Sequence, residues 1–560
     1  MKRFLSLVSI LQACLLFSCA LSLPAKAAEE SAFTLSHTFG NDMILQRDTE
    51  ISIWGWSTHK GAKIILNFKG TTASALVDQN GEWLIKAPAQ KTSKEGAALE
   101  LSTDYNSYTI TLEGVLVGDV YVLSGQSNAE LSLDRIKSVY PDISKELNIN
   151  SNLRFFDQSR YYAASVPATM ASPQADVINS AWLWHKENAA TMNFPAIGYF
   201  FAKEVSAASD VPIGVVMATS SGSSLSELMP VEVAQALGVS ASAPEKVPTG
   251  GMYNALMSPF QKTSIKGLLF YQGENDQANY PKYASMLAAY VAELRKRFNS
   301  NFTFYNVQLS SHGGDGLTSW PNIQNVRFAQ FDAYTKIDNS FLTVSMDWGF
   351  KDGDPDFAHP LYKKPIGERL AKVALAKDYG IGDLNYAQSP VPDYAYKTNE
   401  GIAVKFKYVG DGLKTVGSNT SLLGFRIMQG AIILKTDFSA QIISKDTVLL
   451  KYTDKADGVA YGTELIAAPD SDNTSYIANL ANSSDLPAPA FKLLKILPAP
   501  TAEPVNSSTA ETVTPTNTSD TTANISIKQP TSFAITLIGI ALIMTAGGFR
   551  GVYLLSKRKR

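Results

Sequence analysis

Cysteine is nearly absent from this chain of 560 residues, and its two cysteines, Cys14 and Cys19, both lie close to the amino terminus. Around them a basic start leads into an apolar run that reaches Ala25-Lys26-Ala27, which is the pattern of a secretory signal peptide. We therefore expect a signal peptide over residues 1–27, with an uncleaved anchor as the alternative. The rest of the chain has no cysteine, which excludes a disulfide, a thiolate nucleophile and a zinc site built on cysteine.

Charged residues are also scarce, at 18% of the chain, and they nearly cancel, because 49 Lys and Arg against 51 Asp and Glu give a formal net charge of −2. Together with 45% hydrophobic residues, this composition excludes a mostly disordered chain. A protein that holds nucleic acid phosphates is usually basic, so we expect no nucleic acid partner. The length predicts roughly two to four domains.

Aromatic residues are missing from residues 501–530, where threonine, serine, proline and asparagine supply 18 of the 30 positions. Such a composition cannot build a core and predicts a stalk over residues 499–530. An uncharged apolar run at 533–549 and a basic end then predict a transmembrane anchor with a cytoplasmic tail over residues 531–560. The folded part would lie on the periplasmic or extracellular side. A sorting tail that is removed by processing is the alternative.

Two regions are rich in strand patterns. In residues 28–114, runs such as Ile51–Trp56 and Lys63–Phe68 contain many β-branched and aromatic residues, and a strong turn signal stands at Asp78–Gly81. A second strand-rich region covers residues 399–498. We expect β-sandwich or jelly-roll-like regions on both sides of the central part, and the sequence leaves open whether the two pack into a single sandwich.

Residues 115–398, between these regions, alternate short apolar runs with helical patterns. One helical pattern, from Tyr283 to Phe298, repeats apolar residues at i, i+3, i+4 and i+7. The apolar runs are Asp119–Leu123, Pro212–Ala218, Lys266–Tyr271, Phe302–Leu309 and Phe341–Met346. This alternation predicts an α/β fold with a parallel sheet covered on both faces by helices. Ligands in such folds bind beyond the carboxyl ends of the strands.

Residues suited to acyl transfer follow four of these runs: Ser127, Gly222, Gln272, Asn275, Asp356 and His359. Ser127 stands between a strand and a helix start, where nearby amides can stabilise the negative charge that develops after nucleophilic attack. The alternative for Ser127 is a polar turn that caps the next helix. The Gly222 N–H can approach a substrate closely, and the amides of Gln272 and Asn275 can donate to an oxyanion.

The loop after the last run places Asp356 three residues before His359. At this spacing the carboxylate can accept a hydrogen bond from one ring nitrogen while the other nitrogen faces the substrate. His359 is favoured because no other histidine has an acid three residues before it after a core strand. The alternatives are a structural histidine in an acidic loop, or a metal site built by Asp352, Asp354 and Asp356.

The order of these pieces resembles the sialate O-acetylesterase family of SGNH-type hydrolases, over Phe33 to about Leu493. The matching motifs are Asp42–Arg47, Ile53–Trp56, Gly118–Val120, Ser124–Asn128, Pro212–Gly214, Tyr253–Ala255, Tyr271–Glu274, Val307–Leu309 and the Asp356/His359-Pro360 loop. The chain departs from the family pattern at Ala129, Phe270 and Ser221, where the family usually has methionine, tryptophan and glycine. We expect these departures to affect the lining of the pocket.

The resemblance implies a triad in which Ser127 is the nucleophile, His359 the general base and acid, and Asp356 its orienting partner. It further implies an oxyanion hole formed by the N–H groups of Ser127 and Gly222 and by a side-chain amide. Gln272 is the first choice for that amide and Asn275 the second. No metal or organic cofactor is implied.

The implied activity is removal of O-acetyl groups from sialic acids, so the expected partner is an O-acetylated sugar or sialoglycan. Because sialic acid carries a carboxylate, an arginine near the pocket is expected, and Arg327 is a candidate. The alternatives are an esterase for another acetylated glycan, such as acetylxylan, an inert carbohydrate-binding surface protein, and a glycosidase with paired carboxylates.

Overall fold

The structure is a computed structural model. It describes residues 33–149, 151–158, 170–177, 184–241, 244, 246–312, 321–349, 356, 358–417, 420–434, 437–463, 478–493 and 495–499. The predicted signal peptide, the stalk beyond residue 499 and the predicted anchor lie outside these residues. Within the part of the chain that the structure describes, no helix combines the length and the apolar character that crossing a membrane requires.

The amino-terminal region is built from strands, as the sequence predicts. Its strands are β1 (Thr34–Leu35), β2 (Ile44–Gln46), β3 (Ile51–Trp56), β4 (Lys63–Phe68), β5 (Thr71–Leu76), β6 (Glu82–Ala87), β7 (Ser93–Thr103) and β8 (Thr109–Gly125). Side chains of β6 alternate between exposed and buried, so one face of this strand packs into the core. The buried rings of Trp54 and Trp83 fill that core.

Strand β8 connects the amino-terminal region to the central α/β region. Its first half pairs antiparallel with β7, and residues Leu116–Gly118 pair in parallel with β2. Its second half is a central strand of the large sheet, with β11 on one side and β12 on the other. The predicted domain boundary between residues 114 and 115 therefore falls inside a continuous strand.

The central sheet has the strand order β10-β9-β11-β8-β12-β13-β14. Its further strands are β9 (Leu153–Asp157), β10 (Trp184–Lys186), β11 (Ile213–Thr219), β12 (Gly267–Tyr271), β13 (Thr303–Gln308) and β14 (Ser340–Val344). All neighbours are parallel except β10, which pairs antiparallel with β9. Every residue of β9, β11, β12 and β13 is buried, so helices cover both faces and the predicted three-layer α/β/α arrangement is confirmed.

The helices are α1 (Ser127–Glu130), α2 (Ala196–Ser209), α3 (Leu225–Leu228), α4 (Val231–Ala236), α5 (Tyr280–Arg297), α6 (Ile323–Tyr334), α7 (Lys363–Asp378) and α8 (Leu384–Ala387). They pack in pairs, α2 against α7 and α5 against α6. Helix α5 begins with a proline in its first turn and ends with three basic residues, which suit the two ends of a helix dipole. Its buried face contains the apolar residues that the sequence pattern predicts.

The carboxyl-terminal region is again built from strands. These are β15 (Val391–Thr398), β16 (Gly401–Lys407), β17 (Leu413–Thr415), β18 (Phe425–Gln429), β19 (Ile432–Leu434), β20 (Ala440–Ser444), β21 (Thr447–Leu450), β22 (Gly458–Tyr461), β23 (Leu480–Asn482), β24 (Phe491–Leu493) and β25 (Ile496–Leu497). Among the described residues these strands pair only with one another. Their core is separate from the main one and includes Phe331 and Leu342 of the central region. The two β regions therefore do not form a single sandwich.

Candidate active site

Four of the predicted site residues line one cavity of about 920 Å³ at the carboxyl ends of the central strands: Ser127, Gly222, Asn275 and His359. They come from the segments after β8, β11, β12 and β14, which are far apart in sequence. The parallel sheet brings them together because its strands end at one edge. Loop position in the predicted sheet was therefore a sufficient signal to find them.

The turn that presents Ser127 depends on glycine at position 125. Gly125 has a φ of +139°, and a Cβ placed there would lie 2.1 Å from the carbonyl oxygen of Tyr271. The strand can therefore pass close to β12 and then turn into α1, in which Ser127 is the first residue. The Ser127 side chain remains partly exposed at the cavity.

His359 and Asp356 form the pair that the sequence predicts. The Nδ1 atom of His359 lies 2.5 Å from Asp356 Oδ2, and the Ala358 N–H donates to Asp356 Oδ1 at 2.8 Å. Burial is the largest single influence and raises the pKa of Asp356, but the hydrogen bonds from His359 and Ala358 and the charge interaction with His359 together hold the pKa below its ordinary value. The carboxylate therefore stays ionised and can stabilise a protonated imidazole ring.

The Ser127 hydroxyl and the His359 ring share the cavity without a direct hydrogen bond in the described part of the structure. The second ring nitrogen of His359, Nε2, also has no partner among the described residues. Catalytic hydrogen bonds of this kind are often long in the free enzyme and shorten when substrate binds. The geometry is compatible with a triad of Ser127, His359 and Asp356, of which the structure shows the hydrogen bond between His359 and Asp356.

Two backbone N–H groups are available to an oxyanion. Neither the Ser127 N–H nor the Gly222 N–H donates to an acceptor in the described residues. Gly222 has a φ of +75° in a turn that is closed by the Ser223 N–H bonding to the Ser220 carbonyl at 3.2 Å. A Cβ at Gly222 would touch nothing within 4 Å, so glycine is needed here for its backbone conformation and not for space.

Asn275 and not Gln272 lies at the cavity. The Gln272 side chain is buried, and its amide nitrogen is within bonding distance of Asp276 Oδ2 at 2.5 Å, the Ser223 carbonyl at 3.1 Å and Gln126 Oε1 at 3.2 Å. Asn275 lines the cavity and donates to the Gly222 carbonyl at 2.6 Å. The geometry therefore favours Asn275, the second choice from the sequence, as the side-chain donor to the oxyanion.

The structure does not support Arg327 as a substrate reader. Its side chain is fully buried in α6, where the guanidinium donates to the carbonyls of Leu309 at 3.1 Å and Ser310 at 2.7 Å. It does not line the cavity. Arg327 instead ties α6 to the end of β13, a role that a sequence pattern cannot distinguish from ligand binding.

Arg135 is the residue that sequence reasoning missed. It is exposed, lies in a 3₁₀ helix at Asp134–Ile136 after α1, and is the only Lys or Arg among the described residues that line the cavity. It makes no ion pair within the described part of the chain. Glu130 lies in the same lining and accepts a hydrogen bond from Ser221 at 3.0 Å. Nearness to Ser127 in sequence was the available signal for both residues.

The departures from the family pattern fall differently than expected. Ala129 and Phe270 are both fully buried and do not line the cavity, whereas Ser221 does. Of these three departures, only Ser221 thus bears on the shape of the pocket.

The alternative of a metal site finds no support in the described residues. Asp352 and Asp354 lie outside them, and within them no group of three metal-binding side chains occurs.

Residues 117–376 match the family model described as carbohydrate esterase, sialic acid-specific acetylesterase. The chain is 26% identical over 422 residues to the sialate O-acetylesterase of Rattus norvegicus, across 64% of this chain and 76% of that protein. It is 25% identical over 401 residues to the sialate O-acetylesterase of Homo sapiens, across 64% of this chain and 74% of that protein. A solved carbohydrate acetylesterase from Xanthomonas citri is 28% identical, with a TM-score of 0.68, over 82% of this chain and 99% of its own.

The parallel sheet and the residues at its edge, together with these similarities, define an SGNH-like carboxylic-ester hydrolase of the carbohydrate esterase class. Within that class, the family model that residues 117–376 match is that of the sialic acid-specific acetylesterases. The resemblance seen in the sequence motifs is thereby confirmed.

Proposed function

We propose that this carbohydrate esterase removes acetyl groups from the hydroxyls of sialic acids through an acyl-enzyme on Ser127. Its main support is that Ser127, Gly222, Asn275 and His359 line one cavity, with Asp356 hydrogen-bonded to His359. The matching family model and the related sialate O-acetylesterases support the choice of sugar.

In the proposed reaction, His359 Nε2 takes the proton of Ser127 as its Oγ attacks the acetyl carbonyl carbon. The carbonyl oxygen becomes negative and accepts hydrogen bonds from the N–H groups of Ser127 and Gly222 and from the Asn275 amide. The tetrahedral intermediate collapses, and the sugar oxygen leaves with the proton from His359. Water, activated by the same histidine, then cleaves the acetyl-serine and releases acetate.

Arg135 supports a substrate that carries a carboxylate. A guanidinium at the cavity can pair with the carboxylate of a sialic acid in a bidentate manner, which also orients the sugar. Glu130 in the same lining competes poorly with the substrate carboxylate for pairing with Arg135. Burial raises the pKa of Glu130 despite opposing hydrogen bonds from Ser221, which disfavours its charged form. The proposal therefore assigns carboxylate recognition to Arg135.

The test is release of acetate from an O-acetylated sialoside by the purified chain and by Ser127→Ala. We expect the wild-type chain to release acetate and the variant to lose nearly all of this activity, with both proteins folded. Equal rates in the two proteins would exclude Ser127 as the nucleophile. A serine-hydrolase probe that labels the wild type and not the variant would locate the reactive hydroxyl independently.

A second candidate substrate is another acetylated glycan. It is favoured by the similarity to a carbohydrate acetylesterase whose described activity does not specify a sialic acid. The triad and the oxyanion hole would be the same for both substrates. Acetate release from acetylated xylan and from an O-acetylated sialoside, compared at equal ester concentration, separates the two.

We also propose that the catalytic region is exported and tethered to a membrane by the apolar segment at residues 533–549. This proposal rests on the amino-terminal and carboxyl-terminal sequence patterns alone. Cell fractionation with and without residues 531–560 tests it. Recovery of the full chain in the soluble fraction would exclude the tether.

A further inference from the structure

A buried chain of hydrogen bonds lies behind the active-site cavity and reaches the cavity lining at Glu274. Lys363 Nζ donates to Asn128 Oδ1 at 2.6 Å. Asn128 Nδ2 in turn donates to Glu274 Oε1 at 2.6 Å and to the carbonyl of Ala358 at 3.0 Å. Exposure of the three side chains is 1% for Asn128 and 2% each for Glu274 and Lys363. An amide thus bridges an ammonium and a carboxylate inside the protein.

Asn128 and the two groups to which it donates are chain neighbours of residues that act on the substrate. Asn128 follows Ser127, and the other two neighbours are Glu274, which precedes Asn275, and Ala358, which precedes His359. Because one amide holds all of these positions, a shift of Asn128 would displace the nucleophile, the oxyanion donor and the histidine relative to one another. Misplacement of reacting groups by about 1 Å can cost roughly 10²-fold in rate.

The charges of this cluster balance only if Lys363 is present. Among the described residues, Lys363 and Glu274 form no direct ion pair, and the second oxygen of Glu274 is buried without a hydrogen-bond partner. The Lys363 ammonium also lies 5.2 Å from the centre of the Tyr271 ring. Loss of the ammonium would leave Glu274 as a buried carboxylate with no compensating cation, a condition that proteins tolerate poorly.

We propose that Lys363 is a positioning residue, whose ammonium acts through Asn128 to hold Ser127, Asn275 and His359 in their reactive arrangement. This inference rests on the proposed serine mechanism. It predicts that Lys363 affects the rate of the chemical step and not the binding of substrate, because it touches neither the cavity nor any residue expected to contact the sugar.

Four titratable groups face or influence Lys363: Glu274, Asp356, Tyr271 and His312. Burial lowers the pKa of Lys363 to about 7, although the carboxylates of Glu274 and Asp356 oppose the shift. Burial likewise raises the pKa of Glu274 and lowers that of His312 to about 3, so His312 stays neutral near pH 7. Lys363 should therefore lose its proton above about pH 7, and the positioning effect should weaken there.

The experiment measures kcat and KM of the full chain with 4-nitrophenyl acetate for Lys363→Met and for the double variant Lys363→Met/Glu274→Gln. Lys364→Met is the matched control, since Lys364 is the next residue of α7 and is only partly buried. We expect Lys363→Met to lower kcat by about 10- to 100-fold without raising KM. The double variant, which removes the unbalanced carboxylate, should recover much of that loss, and the control should match the wild type.

Wild-type kcat in a folded Lys363→Met protein, or a double variant no better than the single one, would overturn the inference. If Lys363→Met does not fold, the pH profile decides. The wild type should lose kcat above about pH 7, and the neutral double variant should not. The same decline in both proteins would also overturn it. Activity that survives Ser127→Ala would instead refute the underlying serine mechanism, so the two failures are distinguishable.

Discussion

At the scale of single residues, the chemistry of the site depends on which hydrogen-bond donors are not already used within the protein and so remain free to bind substrate. Gln272 and Asn275 are both amides in the same turn, yet the donors of Gln272 are used inside the protein and Asn275 faces the cavity. The sequence motifs put Gln272 first and Asn275 second, whereas the geometry favours the reverse order, because the order depends on which side of the turn each side chain faces. For the same reason the sequence pointed to Arg327 as the substrate arginine and missed Arg135.

Asn275→Ala should lower kcat by about 10²- to 10³-fold, which is the usual effect of losing one oxyanion donor. The melting temperature should change little, because Asn275 makes its hydrogen bond at the edge of the cavity. Gln272→Ala is the comparison, and it should lower the melting temperature because it breaks a buried network. Steady-state kinetics and thermal unfolding of both variants check this, and unchanged kcat in Asn275→Ala would remove it from the oxyanion hole.

Arg135→Gln should lower kcat/KM for an O-acetylated sialoside by about 10-fold, as expected for loss of a partly solvated charged hydrogen bond. Hydrolysis of a neutral acetylated sugar should not change, because that substrate has no carboxylate. Lys137→Gln is the control, since Lys137 lies one residue beyond the same 3₁₀ helix and pairs with Asp134. Equal losses on both substrates would show that Arg135 does not read the carboxylate.

At the scale of elements, periodicity and strand length carried most of the prediction. The five central runs match β8, β11, β12, β13 and β14 to within a few residues, apart from the unpredicted amino-terminal half of β8. Hydrophobic periodicity reports which residues are buried, so it finds the strands and α5. It does not report where a strand continues into a second sheet, and for this reason the predicted boundary after residue 114 lies inside β8.

Lys363 gives α7 a pH-dependent effect on stability. Its pKa is lowered from an ordinary 10.5 to about 7 in the folded chain. Between these values the unfolded chain binds a proton that the folded chain does not, so the contribution of Lys363 to the free energy of unfolding rises with pH. Below about pH 7 both states are protonated and this contribution is constant.

Denaturant unfolding of the wild type and of Lys363→Met at several pH values tests this linkage. The wild type should gain stability relative to the variant as the pH rises from about 7 toward 10. A constant difference between the two proteins over that range would show that Lys363 is not titrating there.

At the scale of the whole molecule, the amino-terminal β region is part of the folding unit of the catalytic region. Asp119 on β8 is buried, and its carboxylate forms an ion pair with Arg47 at 2.9 Å and accepts a hydrogen bond from the Gln46 side chain at 2.7 Å. Gln46 is the last residue of β2, and Arg47 follows it. The main hydrophobic core also runs without interruption from Phe33 to residues of α7. Cutting the chain at the predicted boundary would separate Arg47 from Asp119 and would also divide the hydrophobic core.

Arg47→Met should destabilise the protein by about 3 kcal/mol, near the lower end for breaking a buried ion pair because Arg47 is partly exposed. The double variant Arg47→Met/Asp119→Asn should recover part of this loss, since it leaves no unpaired charge. Urea unfolding of the two variants measures the difference. No destabilisation in the single variant would mean that the two regions are held together without this pair.

Strand β8 begins in the amino-terminal sheet and ends at the turn that carries Ser127. The position of the nucleophile therefore depends on strand pairing at the opposite end of the same strand. Loss of the pairing between β7 and β8 would release the first half of β8 and shift Ser127 before the residues that line the pocket unfold. On heating, the loss of esterase activity and the unfolding of the amino-terminal β region should therefore occur at the same temperature. No stable intermediate should retain activity after these strands have unfolded.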